Sequence, residues 1–284
     1  MPIEMKHISK TFGDTRALDD VTLTFGDNRI YGLLGNNGAG KSTLLGILTG
    51  RLYPTQGEVT VDGEGTVNND AALRKMYLVA EKNMFPEDMR VKAAFKAAQL
   101  FYPEFDAAYA DALAEKFGLS QKKKIKLLST GYGSIFRLIL GLSAGVPYLF
   151  FDEPVLGLDA QHRDMFYREL LARYAERPCT VIVSTHLIAE AADLIEHAVI
   201  IRNGKILKDA PRDELTMGAY TVSGPAGAVD KYIEGRHVLT SSALGGLKTA
   251  SLQGERGPLP EGVEAAPINL QDYFICLMEE EDRK

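Results

Sequence analysis

The sequence predicts an α/β fold in which helices cover a mainly parallel sheet. Three segments carry this prediction, because residues 148–152, 160–176 and 180–184 have the patterns of a strand, a helix and a strand. Such a succession gives two parallel strands joined by a crossover helix. An apolar run at 29–34 adds another buried strand, and it leads directly into a glycine-rich segment.

Other patterns place further elements around this sheet. Strand patterns at 3–8, 21–25 and 58–63 predict an antiparallel β subdomain near the N-terminus. Apolar residues at helical spacing follow, with a break at Pro103, and they predict a helical subdomain at about 87–145.

The last part of the predicted core is a short helix at 187–197 and a hairpin at 198–209. The hairpin is expected because Asn203-Gly204 lies between two apolar runs. We therefore expect one large domain at 1–215 and a small α+β accessory region at 216–284. The patterns in that region are weak until a final helix, for which Asn269 is placed as the N-cap and Ile268 and Tyr273 as a hydrophobic staple.

Composition limits the possible classes of protein. The chain has 284 residues, of which 45% are hydrophobic and 25% charged, as in globular proteins. Its net charge of −6 gives no broad basic surface, so no nucleic-acid partner is expected. The most apolar stretch, 136–151, contains Arg137 and Pro147 and is shorter than the roughly 20 residues that cross a bilayer. Cys179 and Cys276 are expected to be free thiols, and no signal peptide is expected.

The glycine-rich segment has the pattern of a phosphate-binding loop, G-x-x-x-x-G-K-[ST], between a predicted strand and a predicted helix. Its glycines let the backbone curl so that N–H groups point at phosphate oxygens, and the helix N-terminus adds further donors. The lysine is placed to reach the β- and γ-phosphates of ATP, and the first hydroxyl is a hard ligand for Mg²⁺. The residues concerned are Gly35, Asn36, Asn37, Gly38, Ala39, Gly40, Lys41, Ser42 and Thr43.

Three polar residues follow the ends of two predicted strands. Asp152 ends a buried apolar strand, where a carboxylate is costly unless it serves a cation, so we expect it to help hold Mg²⁺. Glu153 comes next and is placed to act as the general base toward water. His186 follows another strand at the edge where parallel sheets bind ligands, and it is a candidate contact for the γ-phosphate.

The order of these motifs closely resembles the ATP-binding subunit of ABC transporters, a family of P-loop NTPases. The resemblance covers about 3–209 and rests on the phosphate-binding loop, 128–132, 151–154, 156–159 and His186. It implies that Phe12 stacks on adenine. It also implies that Ser129 and Gly131 contact the γ-phosphate held by a second ATPase subunit, and that Asp159 links the two sites of that dimer.

Two positions depart from the family pattern. The signature segment has Thr130 and Tyr132 where the family usually has Gly and Gln, although Ser129 and Gly131 remain. Glu81 stands where the family usually has Gln, 40 residues after the lysine of the phosphate-binding loop. A carboxylate beside the γ-phosphate is unfavourable unless a cation lies between them, so we expect Glu81 to face Mg²⁺ together with Ser42 and Asp152.

The function that this resemblance implies is that of a motor subunit. ATP would close a homo- or heterodimer that drives a separate transmembrane permease from the cytoplasmic side of the cell membrane, with export of a drug or peptide as the expected direction. Met84, Phe85 and Met89 are candidate docking residues for that permease, or they pack beneath the helical subdomain. The alternatives are a soluble ABC ATPase acting in assembly or translation and, with less support, a metabolite kinase.

Overall fold

The computed structural model of the protein describes residues 2–282. It contains two compact units. The first covers the chain up to His186 together with Leu194–Asp209, and the second covers Leu187–Asp193 together with the chain from Ala210 onward.

Among residues 2–282, the first unit contains six α-helices, a short 3-10 helix at Ile125–Leu127 and ten strands, the last of which ends two residues into the second unit. The strands are β1 (Ile3–Phe12), β2 (Thr15–Phe25), β3 (Ile30–Leu34), β4 (Gln56–Val61), β5 (Glu64–Gly65), β6 (Met76–Val79), β7 (Tyr148–Asp152), β8 (Thr180–Thr185), β9 (His197–Arg202) and β10 (Lys205–Pro211). The helices are α1 (Lys41–Leu48), α2 (Asp70–Leu73), α3 (Val91–Phe101), α4 (Ala107–Lys116), α5 (Thr130–Ser143) and α6 (Ala160–Glu176).

Two sheets form the core of this unit. The first has the order β2-β1-β4-β5 and is antiparallel throughout, which confirms the predicted N-terminal β subdomain. The second has the order β10-β9-β3-β8-β7-β6, and the pairs from β9 to β6 are parallel. One buried apolar cluster includes residues of both sheets and of α1, among them Met5, Phe25, Leu44 and Phe150. This packing fixes α1 and the loop before it against the sheets.

The hairpin at the edge of the second sheet confirms the prediction from Asn203-Gly204. β9 and β10 are joined by these two residues, whose φ angles are 49° and 75°. Positive φ at both central residues is typical of the tight turn whose twist matches that of paired strands.

The helix predicted at 187–197 is wrong in length, because helical structure there is confined to α7 (Ile188–Ala191). The residues before β9 are fixed by contacts with β3. The backbone N–H of Glu196 donates to the carbonyl of Ile30 at 3.0 Å, and the Glu196 carboxylate accepts from the N–H of Ile30 at 2.8 Å. These tertiary hydrogen bonds fix Glu196 to β3, and the residues between α7 and β9 form a turn and a bend instead of continuing the helix.

The first helix of the helical subdomain begins at Val91, four residues after the start of the predicted pattern at 87. The intervening residues pair with a distant segment, since the backbone N–H groups of Ile125 and Lys126 donate to the carbonyls of Met89 and Glu87. A backbone engaged in this way cannot begin a helix.

The second unit is built around an antiparallel sheet. It contains α7, α8 (Arg212–Thr216), β11 (Ala219–Pro225), α9 (Ala226–Ile233), β12 (His237–Leu244), β13 (Leu247–Gln253), β14 (Glu264–Pro267) and α10 (Leu270–Asp282). The sheet order is β12-β13-β11-β14. The side chains of Tyr220, Val222, Val229 and Leu252 form its buried cluster between sheet and α9.

The final helix of this unit is capped as the sequence predicts. The Asn269 side chain accepts a hydrogen bond from the N–H of Asp272 at 2.8 Å. Ile268 and Tyr273 lie in one apolar cluster with Cys276. Within residues 2–282, no helix combines the length and the apolar character that crossing a membrane requires.

Candidate nucleotide-binding and hydrolysis site

The phosphate-binding loop connects β3 to α1 and has a shape that requires glycine. Gly40 has a φ of 113°, and a Cβ atom there would lie 2.7 Å from the carbonyl oxygen of Ala17. At Gly35 a Cβ atom would lie 2.4 Å from the carbonyl oxygen of Ile201. The loop is therefore packed against β2 and β9, and its curvature depends on the absence of side chains at these positions.

Lys41 is buried at the start of α1 and turns back over this loop. Its Nζ donates to the carbonyl oxygens of Gly35 at 2.7 Å and Asn36 at 3.3 Å, and it lies 3.4 Å from Oε1 of Glu153. The side chain is only 6% exposed. A lysine held in this way is a fixed positive charge at the centre of the loop, as a phosphate-binding role requires.

Asp152 lies at the end of β7, where the neighbouring strand β8 orients its carboxylate. Ser184, which pairs with Asp152 in the register of the two strands, donates its hydroxyl to Asp152 Oδ1 at 3.0 Å. The other carboxylate oxygen remains for a further ligand. This geometry suits the predicted metal-binding role of Asp152.

Glu153 adopts a backbone conformation that is rare for a residue with a side chain. Its φ is 48°, and its N–H donates to the carbonyl of Ser184 at 2.9 Å. Oε2 lies 2.9 Å from Nδ1 of His186, and the buried Oε1 lies 3.4 Å from Nζ of Lys41. Left-handed backbone costs about 1–3 kcal/mol at such residues and is concentrated at functional sites. Backbone strain, a neighbouring imidazole and the lysine of the phosphate-binding loop make Glu153 a candidate reacting group.

A cavity of about 180 Å³ opens beside these residues. Ser42, Glu81 and Asp152, the three predicted ligands of Mg²⁺, all line it, as does Glu153. Hydroxyl and carboxylate oxygens are the donors that Mg²⁺ prefers, so the donor set fits this ion. Residues 2–282 contain no group of three or more His, Cys, Asp or Glu able to hold a metal alone. One hydroxyl and two carboxylates leave positions on an octahedral ion for phosphate oxygens and water.

The same cavity includes residues that the sequence analysis did not assign to the site. Thr130, Ser134 and Arg137 of α5 line it opposite the strand ends. The signal that could have identified Arg137 is its position, because it is a single charge between buried Phe136 and buried Leu138. A cation within an apolar helix face needs an anionic partner or solvent.

Phe12 lies at the tip of the β1–β2 hairpin, with its ring 46% exposed. Lys10 Nζ lies 4.9 Å from the ring centroid. The β2 strand of the same hairpin borders the phosphate-binding loop through the contact of Ala17 with Gly40. An exposed aromatic on this hairpin is available to stack on a base, and that role stays a prediction.

The signature segment forms the beginning of α5. The Ser129 side chain caps the helix by accepting from the N–H of Tyr132 at 3.4 Å, and Ser129 and Thr130 are exposed. Tyr132, which replaces the usual Gln, is half-buried with its ring edge-on to His162 at 6.5 Å. A Cβ atom at Gly131 would lie 3.3 Å from the carbonyl of Gly157, so the segment is closely packed on the turn before α6.

Asp159 has a structural role within the chain, because it caps α6. One carboxylate oxygen accepts from the N–H of His162 at 2.9 Å, and the other lies 2.8 Å from His162 Nδ1. Two hydrogen bonds lower the pKa of Asp159: the larger effect comes from the backbone N–H of His162, and the smaller from the His162 ring. The proposed link from Asp159 to a second subunit is additional to this capping.

The candidate docking residues differ in their surroundings. Met84 is 68% exposed, whereas Phe85 packs edge-on against Phe136 with 6.1 Å between ring centroids. Met89 is half-buried. Met84 thus fits an exposed docking surface, and Phe85 fits the alternative of packing beneath the helical subdomain.

Several known proteins are similar in sequence to this chain. Residues 18–156 match the protein family described as ABC transporter. The Nod factor export ATP-binding protein I of Burkholderia lata is 31% identical over 74% of this chain and 71% of its own length. The hemin import ATP-binding protein of Thermobifida fusca is 31% identical over 74% of this chain and 77% of its own length. Nod factor export ATP-binding protein I of a Bradyrhizobium species is 26% identical and covers 100% of this chain and 98% of its own length.

Solved structures show the same fold. The structure of an ATP-binding subunit of an ABC transporter has a TM-score of 0.69 at 23% identity, covering 76% of this chain and 92% of that one. A dimeric structure of a bacterial ABC transporter cassette has a TM-score of 0.66 at 23% identity, covering 74% and 98%. These similarities confirm the predicted α/β fold with its mainly parallel sheet.

Proposed function

The chain belongs to the family of ABC transporter ATP-binding proteins and is an ATP-hydrolysing subunit of a transporter; from this premise we propose how its residues carry out the reaction. The phosphate-binding loop and Lys41 would hold the β- and γ-phosphates, and Phe12 would stack on adenine. Ser42, Asp152 and Glu81 would hold Mg²⁺, which neutralises charge that develops on the phosphates.

The observation that carries the proposal is the arrangement of Glu153. Its buried Oε1 lies 3.4 Å from the ammonium of Lys41, and its Oε2 lies 2.9 Å from Nδ1 of His186. A carboxylate held in this way can accept a proton from water that attacks the γ-phosphate, while the His186 ring orients it and contacts the phosphate. The strained backbone of Glu153 is supported by its hydrogen bond to Ser184.

The complete site is proposed to need two chains. Ser129 caps α5 and is exposed, so its hydroxyl and the helix N-terminus are available to an anion on another molecule. Gly131 would let that phosphate approach the backbone, and Asp159 would couple the two sites. ATP would then close a homo- or heterodimer, and hydrolysis would reopen it.

The dimer is proposed to drive a separate transmembrane permease from the cytoplasmic side of the cell membrane. The exposed Met84 is placed in the loop that would contact the permease. Export of a drug, peptide or similar amphipathic substrate is the proposed direction. It is supported by the Nod factor export protein that covers the whole chain, although relatives at 31% identity include both export and import proteins. The domain bounds 1–215 and 216–284 also stay a prediction.

Purified chain tests the proposal directly. We expect Mg²⁺-dependent ATP hydrolysis that Lys41→Ala abolishes, with Lys231→Ala on α9 of the second unit as the matched control. Turnover that survives Lys41→Ala would contradict the assigned phosphate-binding role. Stimulation of turnover by a multi-span membrane protein encoded beside this chain would support the permease, whereas its absence would favour the soluble alternative.

A further inference from the structure

Arg137 places a guanidinium on the wall of the nucleotide cavity, at a position that no motif of the sequence includes. It lines this cavity together with Ser42, Glu81 and Asp152. Its helix neighbours Phe136 and Leu138 are buried and apolar. A half-buried arginine stays charged, because its intrinsic pKa lies far above neutrality. The wall of the cavity therefore carries a cation of its own, in addition to Lys41 in the neighbouring phosphate-binding loop.

The side chain of Arg137 is fixed along the preceding helical turn. Nη2 donates to the hydroxyl of Ser134 at 3.0 Å, and that hydroxyl donates to the carbonyl of Leu156 at 3.3 Å. The other terminal nitrogen of Arg137, Nη1, lies close to Gly133, where a Cβ atom would be 3.6 Å away. Side chains in helices point back toward the N-terminus, and here that direction leads to the cavity. The guanidinium is thus held in place by groups other than a nucleotide.

Glu81 is a carboxylate that lines the same cavity as this guanidinium. Burial lowers the pKa of Arg137, and the carboxylate of Glu81 acts in the opposite direction. Arg137 also lines a small cleft with Lys82, Met84 and Phe85, in the segment that follows Glu81. The arginine therefore lies near the loop that carries Glu81, and its charge acts on that carboxylate across the cavity.

We propose that Arg137 is a positioning residue whose charge offsets that of Glu81 across the cavity, so that the phosphates of ATP can enter a space that Asp152 and Glu153 also line. This inference rests on the proposed nucleotide site. An uncompensated Glu81 would add a third carboxylate beside the phosphates, and like charges repel strongly in a partly buried cavity. With Arg137 on the wall of the same cavity, the charge of Glu81 is largely offset in the absence of Mg²⁺.

The pair can be tested by titrating the protein with ATP in the presence of excess EDTA, which measures binding without turnover or metal. Arg137→Met should weaken ATP binding by about ten- to thirtyfold, because it leaves Glu81 uncompensated. Glu81→Gln alone should change the affinity by less than about threefold, because it removes a charge that is already largely offset. The double variant should return to within about threefold of the wild-type affinity.

Three further variants separate charge from structure. Arg137→Lys keeps the charge and should bind ATP like the wild type. Arg168→Met removes an exposed arginine from α6, where it pairs with Asp164, and should leave ATP binding unchanged. If Arg137→Met lowers the midpoint of thermal unfolding, Arg137→Gln provides a polar replacement that keeps the hydrogen-bonding capacity toward Ser134.

The outcomes are distinct. A double variant that binds ATP as weakly as Arg137→Met would overturn the inference, because Arg137 would then act on the phosphates directly. An Arg137→Met protein with wild-type affinity would overturn it as well. Failure of the wild-type chain to bind ATP would overturn the proposed nucleotide site itself, and this result is separate from any difference among the variants.

Discussion

The carboxylate of Glu153 and the imidazole of His186 lie 2.9 Å apart, although 33 positions separate these residues in the sequence. The contact exists because β7 and β8 are adjacent parallel strands and both residues follow their carboxyl ends. The backbone N–H of His186 also points at Glu153 Oε2, at 3.4 Å. Two elements of one sheet edge thus orient a single carboxylate.

Replacement of this carboxylate should separate binding from hydrolysis. Glu153→Gln keeps the size of the side chain but removes the base, so hydrolysis should fall by about 10²–10⁴-fold while ATP still binds. The ATP-bound form should accumulate as a dimer, which size-exclusion chromatography with and without ATP would detect. A variant that stays monomeric at saturating ATP would contradict the two-chain site.

His186 should affect turnover more than binding. Because it contacts Glu153 and is placed at the γ-phosphate, His186→Ala should lower kcat by at least about tenfold, with KM for ATP changed much less. His237→Ala, an exposed histidine of β12, is the control and should leave both constants unchanged. Equal losses for the two variants would show that the effect of His186 is not specific to the site.

The shape of the phosphate-binding loop gives a stability prediction. At Gly40 both the φ of 113° and the carbonyl oxygen of Ala17 oppose a Cβ atom. Gly40→Ala should therefore lower the free energy of unfolding by more than about 2 kcal/mol and remove ATP binding. Gly63→Ala is the matched control, because it has a φ of 81° with open space around it. It should cost only about 1–2 kcal/mol and leave ATP binding intact.

The sequence was sufficient for the parts of the fold and site whose signals are local. The strand at 148–152 and the helix at 160–176 occur at the predicted bounds, because their apolar patterns agree with their tertiary surroundings. The helix at 187–197 was overestimated, since hydrogen bonds between Glu196 and Ile30 override the local pattern. Such contacts join residues that are distant in the chain and leave no periodic signal.

Other features were missed for similar reasons. β12 and β13 contain several Ser and Thr residues, and β12 is largely exposed, so the alternation of apolar residues along these strands is weak. The positive φ of Glu153 cannot be read from residue type, because glutamate rarely adopts it. Arg137 gives no signal in a helix pattern that depends on apolar residues, and Glu81, the carboxylate whose charge acts on it, lies in a distant segment of the chain.

The two-chain site makes a prediction that a single-chain site does not. Lys41→Ala damages the loop that holds ATP, and Ser129→Glu places a negative charge at the surface proposed to contact the γ-phosphate of the other chain. Each variant alone should be inactive. In a mixed dimer, however, the intact loop of one chain faces the intact Ser129 of the other, so one site is complete. An equal mixture should recover about a quarter of the wild-type turnover, since half of the dimers are mixed and each has one intact site.

Because Ser129 also caps α5, Ser129→Asp is a second variant that retains a capping side chain while carrying the same charge. Turnover of each protein and of the mixtures would be measured at equal total concentration. If the mixture of Lys41→Ala and Ser129→Asp forms mixed dimers with ATP but stays inactive, the signature segment does not complete the site of the partner subunit.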